Sequence, residues 1–162
     1  MKPSCLIGLD IGTSGAKAVV IDRHGLLLGL AGREYPIHTP HLGWAEEDPH
    51  DWVAAALACI GEAVRQANID PHQVAAIGLA GQMHTLVCLD ASGELLRPAI
   101  IWADQRSGDQ VRWLQERIGP ERLALWTGNP LATGFMLSSW AWLIENEPAV
   151  AKSTRWLLTP KD

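Results

Sequence analysis

The sequence predicts an α/β fold on a mixed sheet that opens with an antiparallel meander of three strands. Apolar runs at 6–9 and 16–21 flank the small-residue turn Gly12-Thr13-Ser14-Gly15, so the chain must double back between them. A second turn at Asp22-Arg23-His24-Gly25 leads into a third strand over 26–34. The segment 51–68 then places Val53, Ala56, Leu57, Ile60, Ala63 and Val64 at helical spacing, ahead of a short apolar run at 74–79.

The elements follow in order. Asp48 or Asp51 serves as N-cap of the first helix, with Pro49 near its first turn. The strand at 74–79 runs into Ala80-Gly81-Gln82-Met83-His84, then an extended segment 85–89, a turn at Asp90-Ala91-Ser92-Gly93 and a short extended run 100–102. Helices are expected over 104–117, 120–126 and 133–145, and a last strand over 154–159. No repeat, low-complexity tract or Pro/Ser-rich linker interrupts the chain, so a single globular unit is expected. The apolar strand just before residue 162 reads as part of something longer.

With 162 residues and 48% hydrophobic content, one ordinary domain with a real core is expected. A formal charge of −5 gives no basic stripe for nucleic acid or anionic lipid, so recognition of phosphate must be local. Cys5, Cys59 and Cys88 are odd in number, widely spaced and set in apolar sequence, which reads as reduced core thiols of a cytoplasmic protein. No signal peptide or membrane-spanning stretch is expected. Of eight tryptophans, Trp52, Trp113, Trp140 and Trp142 read as core or helix-face residues.

The first turn carries chemistry. Glycines allow backbone N–H groups to approach an anion, Thr13 and Ser14 add hydroxyls, and Asp10 is placed to hold Mg²⁺ through water. The pattern is neither a Walker loop nor a dinucleotide fingerprint, because a strand follows the turn where those motifs need a helix. Lys17 reads as an exposed strand lysine and is assigned no chemistry. His38 and His41 are spaced like metal ligands but lack a third ligand nearby, which disfavours zinc.

Taken together, several segments resemble the FGGY carbohydrate kinases, most closely the xylulokinases among them. These are Gly8-Leu9-Asp10-Ile11-Gly12-Thr13-Ser14-Gly15, Gly43-Trp44-Ala45-Glu46-Glu47-Asp48-Pro49, Gly81-Gln82-Met83-His84, Trp102-Ala103-Asp104-Gln105-Arg106, Thr127-Gly128-Asn129 and the closing 157–162. The resemblance implies an actin-like, ribonuclease-H-like ATPase fold that binds ATP and Mg²⁺ and phosphorylates a small ketose, D-xylulose at its C5 hydroxyl. Family members are about threefold longer, so residues 1–162 correspond to the N-terminal part of the first kinase domain. The rest of that domain, the general-base aspartate and the adenine-binding second domain then lie outside this chain. Alone it is expected to be a very poor kinase with uncovered sheet edges. The resemblance leaves a homodimer open for the full-length protein.

The resemblance also implies site roles. Gly12, Thr13 and Ser14 hold phosphate oxygens and Asp10 the magnesium shell, while Gln82, Met83 and His84 face the ketose. Trp102 is either a wall of the sugar pocket or core, and Asp104 either a hydroxyl partner or a helix N-cap. Gly134 leaves room for a larger ketose, and Arg106 is an ion-pairing helix residue. The alternatives are a non-catalytic sugar-binding fragment, another pentulose or polyol kinase of the family, and an actin-like ATPase that moves a partner.

Overall fold

The computed structural model describes residues 4–162, and the chain divides into two compact units. Apart from the last two residues, one unit comprises residues 4–36 and 48–82, and the other Ile37–Glu47 and Met83–Pro160. This corrects the expectation of a single unit. The chain changes unit once in the proline-bearing loop at Pro36, and then between β-structure and helix at 47/48 and just past a strand at 82/83, so composition marks only the first of the three crossings.

In the first unit, β1 (Cys5–Ile11), β2 (Gly15–Asp22) and β3 (Leu27–Glu34) form the expected meander, and β5 (Val74–Gly81) adds to β1 in parallel. The strand order is β3-β2-β1-β5. Alternation decides the faces: Cys5, Ile7, Leu9 and Ile11 are buried, as are Ala16, Ala18 and Val20. Helix α1 (Pro49–Ala67) covers that face with Trp52, Ala55, Ala56, Cys59 and Ala63. Asp48 is its N-cap, accepting from the His50 N–H, and Asn68 closes it in the left-handed region. A single 3-10 turn, Pro71–Gln73, capped by Asp70, leads into β5.

Strand β5 is apolar along most of its length, the pattern of a strand covered on both faces. Ile77 and Leu79 lie in register with Ile7 and Leu9 but are about half exposed, because α1 packs over β2 and β3. Among the described residues the outer edge of β5 is unpaired. The expected uncovered sheet edge is therefore present, with Ile77 and Leu79 half exposed beside it.

The second unit joins short strands to helices. Strand β4 (Glu46–Glu47) pairs with β7 (Ala99–Ile100), and β6 (Val87–Leu89) with β8 (Trp156–Leu158). Helices α2 (Gly108–Ile118), α3 (Pro120–Thr127), α4 (Met136–Asn146) and α5 (Pro148–Ser153) supply the rest. One core cluster gathers Leu86, Cys88, Ile100, Trp142 and Leu143, and another Leu114, Leu123 and Leu131. Trp142 is core as expected, whereas Trp113 is 55% exposed on α2. All three cysteines are buried free thiols. Among the described residues no helix is long and apolar enough to cross a membrane.

Candidate functional site

The predicted site residues divide between the units. In the first unit Asp10 sits at the exposed end of β1, and Gly12–Ser14 form the turn to β2. The Gly12 N–H donates to the Gly15 carbonyl at 3.1 Å, closing the turn, so it contributes to the loop's shape. Ser14 is exposed and its hydroxyl has no partner among the described residues. A Cβ on Gly15 would lie 2.4 Å from the Arg33 carbonyl oxygen, so only glycine lets the turn rest on the end of β3. The Tyr35 hydroxyl, one residue past β3, donates to the Gly12 carbonyl oxygen.

Lys17 stands opposite Asp10 in the β1–β2 register, exposed and with no ion pair among the described residues. Together with Ser14, Gly15, Gly32, Arg33 and Glu34 it lines an open groove of about 580 Å³. A cation beside hydroxyls and a turn of backbone amides suits a polyphosphate. The sequence reading assigned Lys17 nothing, and it is the β1–β2 register that puts it on the same face as Asp10. Gln82 closes this unit, its N–H donating to the Ile11 carbonyl at 2.8 Å and tying the end of β5 to the strand that leads into the turn.

Met83, His84, Trp102 and Asp104 belong to the second unit. Met83 is 72% exposed. His84 holds a left-handed backbone, φ +63°, unusual for a residue with a side chain and a form of strain that gathers at functional loops. Its ring stacks on Phe135 with centroids 3.7 Å apart and planes 5° from parallel. The two rings, with Thr127, Asn129, Leu131 and Met136, line a cavity of about 130 Å³. Phe135 was not foreseen as a partner of His84, since no local pattern links positions 51 residues apart.

Trp102 is half exposed, which removes the core alternative. Asp104 is a different case, fully buried and with both carboxylate oxygens engaged. Oδ2 accepts from the Ala45 N–H at 2.7 Å and from Arg106 Nη2 at 2.7 Å, while Oδ1 accepts from the Arg106 N–H at 2.8 Å and Nε at 3.0 Å. The N-cap alternative is also corrected, because α2 starts at Gly108 and its cap position is Ser107. In this structure Asp104 presents no free surface to a sugar hydroxyl.

Arg106 lies before α2 rather than within it and joins a larger network. Its Nη2 reaches Glu46 Oε1 at 2.8 Å, and Arg97 bridges that same oxygen and Glu147. Its guanidinium carbon lies 3.6 Å from the Trp44 ring centroid and 5.0 Å from that of Trp142. A planar, weakly hydrated guanidinium tolerates such burial when carboxylates and aromatic faces surround it. Gly134 also has a role other than the expected one. With φ +72°, a Cβ there would fall 2.1 Å from the Trp102 carbonyl oxygen. A close backbone approach is enough to require glycine there.

His38 pairs through its backbone with Glu46, and the His41 ring meets Trp44 edge-on at 4.5 Å. Among the described residues no group of three or more His, Cys, Asp or Glu could enclose a metal ion.

Residues 5–162 match the FGGY family of carbohydrate kinases, N-terminal domain. The chain is 34% identical over 157 residues to a xylulose kinase of Bacillus subtilis, covering 97% of this chain and 31% of that protein. A glycerol kinase of Thermococcus onnurineus is 34% identical over 145 residues, covering 90% of this chain and 29% of that protein. The crystal structure of xylulose kinase from Rhodospirillum rubrum superimposes with a TM-score of 0.92 at 32% identity, over 98% of this chain and 32% of the other. The fold is thus the actin-like ATPase fold of the sugar kinases. The chain spans about a third of the length of the relatives it matches.

Proposed function

Because this chain belongs to the FGGY family of carbohydrate kinases, we propose that the protein transfers the γ-phosphoryl group of MgATP to the C5 hydroxyl of D-xylulose. The observation that carries the sugar half of this reading is His84, strained, stacked on Phe135 and lining a small cavity with the polar Asn129. Met83 and His84 orient the ketose, His84 by hydrogen bonds to hydroxyls and Met83 by packing on its carbon edge. Trp102 offers an aromatic face to the sugar's C–H groups. Asp104 acts through Ala45 and Arg106, holding the loop that presents Trp102.

The phosphate half rests on the β1–β2 turn. Thr13 and Ser14 donate to phosphate oxygens, Lys17 supplies positive charge, and Gln82 fixes the end of β5 against β1. Magnesium usually keeps several waters and binds through one or two carboxylates plus phosphates. A single exposed aspartate beside phosphate donors fits that chemistry, with Asp10 holding the ion's water shell. Bound there, magnesium supplies charge neutralisation of the transferring phosphoryl group. We assign the general base to an aspartate outside residues 1–162, worth roughly a hundredfold to ten-thousandfold in rate. The protein is proposed to work in the cytoplasm on a small-molecule sugar.

Similarity to a glycerol kinase supports a second reading, a polyol or other pentulose as the acceptor. Titration of intrinsic tryptophan fluorescence with D-xylulose, D-ribulose, L-ribulose and glycerol separates the two. Selective saturation by D-xylulose, lost in His84→Ala and Met83→Arg, is the expected result. Saturation by glycerol instead selects the second reading, and binding of D-xylulose unchanged in His84→Ala removes the assigned site.

A further inference from the structure

We infer that Tyr35 is a positioning residue for the phosphate turn, its hydroxyl orienting the peptide that joins Gly12 to Thr13. The inference rests on the reading of that turn as a phosphate site. Three geometric facts lead to it. The Tyr35 hydroxyl donates to the Gly12 carbonyl oxygen, a contact spanning 23 residues. The Gly12 N–H is already committed to the Gly15 carbonyl at 3.1 Å. Gly15 lies so close to the Arg33 carbonyl that a Cβ would sit 2.4 Å from it. The turn thus rests on the end of the strand that delivers Tyr35.

The consequence follows from peptide geometry. A trans peptide is planar, with its C=O and N–H pointing in opposite directions. A phenol that holds the Gly12 carbonyl therefore directs the Thr13 N–H to the side away from the ring. An unrestrained Gly12–Thr13 peptide can rotate and present its carbonyl oxygen, whose partial negative charge repels an anion. The hydroxyl blocks that rotation and occupies the carbonyl's lone pair. Glycine at position 12 makes such a restraint necessary, because its backbone has the widest choice of conformations.

Tyr35 is the chain's only tyrosine, which provides a clean reporter. Incorporation of 3-fluorotyrosine gives one ¹⁹F resonance, to be followed during titration with MgADP and separately with D-xylulose. Calorimetry of MgADP binding to the unlabelled chain and to Tyr35→Phe completes the test. The inference predicts a saturable shift with MgADP and none with D-xylulose. Tyr35→Phe should weaken MgADP binding about fivefold, as loss of one ordinary hydrogen bond does, and leave the D-xylulose titration unchanged. Equal MgADP affinity in the two chains, or a resonance unmoved at saturation, overturns the inference while leaving the phosphate site standing. Magnesium pyrophosphate, which carries the phosphates without the adenine, is titrated in parallel, and binding of neither it nor MgADP to either chain overturns the phosphate reading and the inference with it. If Tyr35→Phe fails to fold, the resonance alone decides.

Discussion

The turn of the first unit and the loop of the second hold their candidate residues by opposite means. Around Gly12–Ser14 the restraints are backbone ones: the turn's own N–H to carbonyl bond, a glycine pressed on a strand carbonyl and one phenol on a carbonyl oxygen. Around Trp102 they are charges, with Asp104, Arg106, Glu46 and Arg97 largely buried and joined to the partly exposed Glu147, and the Arg106 guanidinium set against two tryptophan rings. A turn proposed to accept an anion has good reason to keep side chains out of the way. A loop proposed to present an aromatic face to a sugar gains rigid support from a paired guanidinium.

The largest effects should come from the charged network. Asp104→Ala takes the bidentate carboxylate from the buried Arg106, leaving it Glu46 alone, and should cost about 3–5 kcal/mol in denaturant unfolding, with D-xylulose binding lost. Gly134→Ala combines a left-handed backbone with a clash against Trp102 and should cost about 2–4 kcal/mol, again disturbing sugar rather than nucleotide binding. Gly15→Ala should cost about 1–3 kcal/mol and reverse the pattern, weakening MgADP while sparing the sugar. If both glycine variants damage both ligands equally, the two sites are not held independently.

A smaller effect is expected at the α1 cap, where Asp48→Ala should cost about 1 kcal/mol by thermal melting. The smallest concerns two thiols, one in each unit. Burial pushes the Cys59 and Cys88 thiols up, with the charge of Arg33 opposing the shift at Cys59 and a hydrogen bond with Thr154 opposing it at Cys88. A raised folded pKa means their contribution is complete below the unfolded value near 8.5 and is lost as pH rises through the folded one. Stability should therefore decline above about pH 8.5, and Cys59→Ser and Cys88→Ser chains should each lose part of that decline.

Much of the first unit was legible in the sequence because its determinants are local. Alternation located the meander, helical spacing located α1, and glycines around two hydroxyl residues marked the turn. Tyr35 escaped notice because its role depends on β3 ending beside that turn. The second unit was less legible for the same physical reason. Glu46 and Glu47 form a strand only through pairing with Ala99 and Ile100. Helix α2 begins at Gly108 rather than at 104 because Asp104 is committed to Ala45 and Arg106, partners distributed across 61 residues. Helix α4 begins at Met136 rather than at 133 because Gly134 adopts a positive φ against Trp102. Helix α5, which opens on Pro148, was absent from the sequence reading, which extended no helix beyond 145.

The most direct test of the account is a pair of backbone amide NMR titrations of the ¹⁵N-labelled chain, one with MgADP and one with D-xylulose. The account predicts two separate sets of shifted amides, Asp10 to Lys17 for MgADP and Met83, His84, Trp102 and Asn129 for D-xylulose. A D-xylulose response confined to the β1–β2 turn, or saturation with D-xylulose that leaves His84 unmoved, would contradict it.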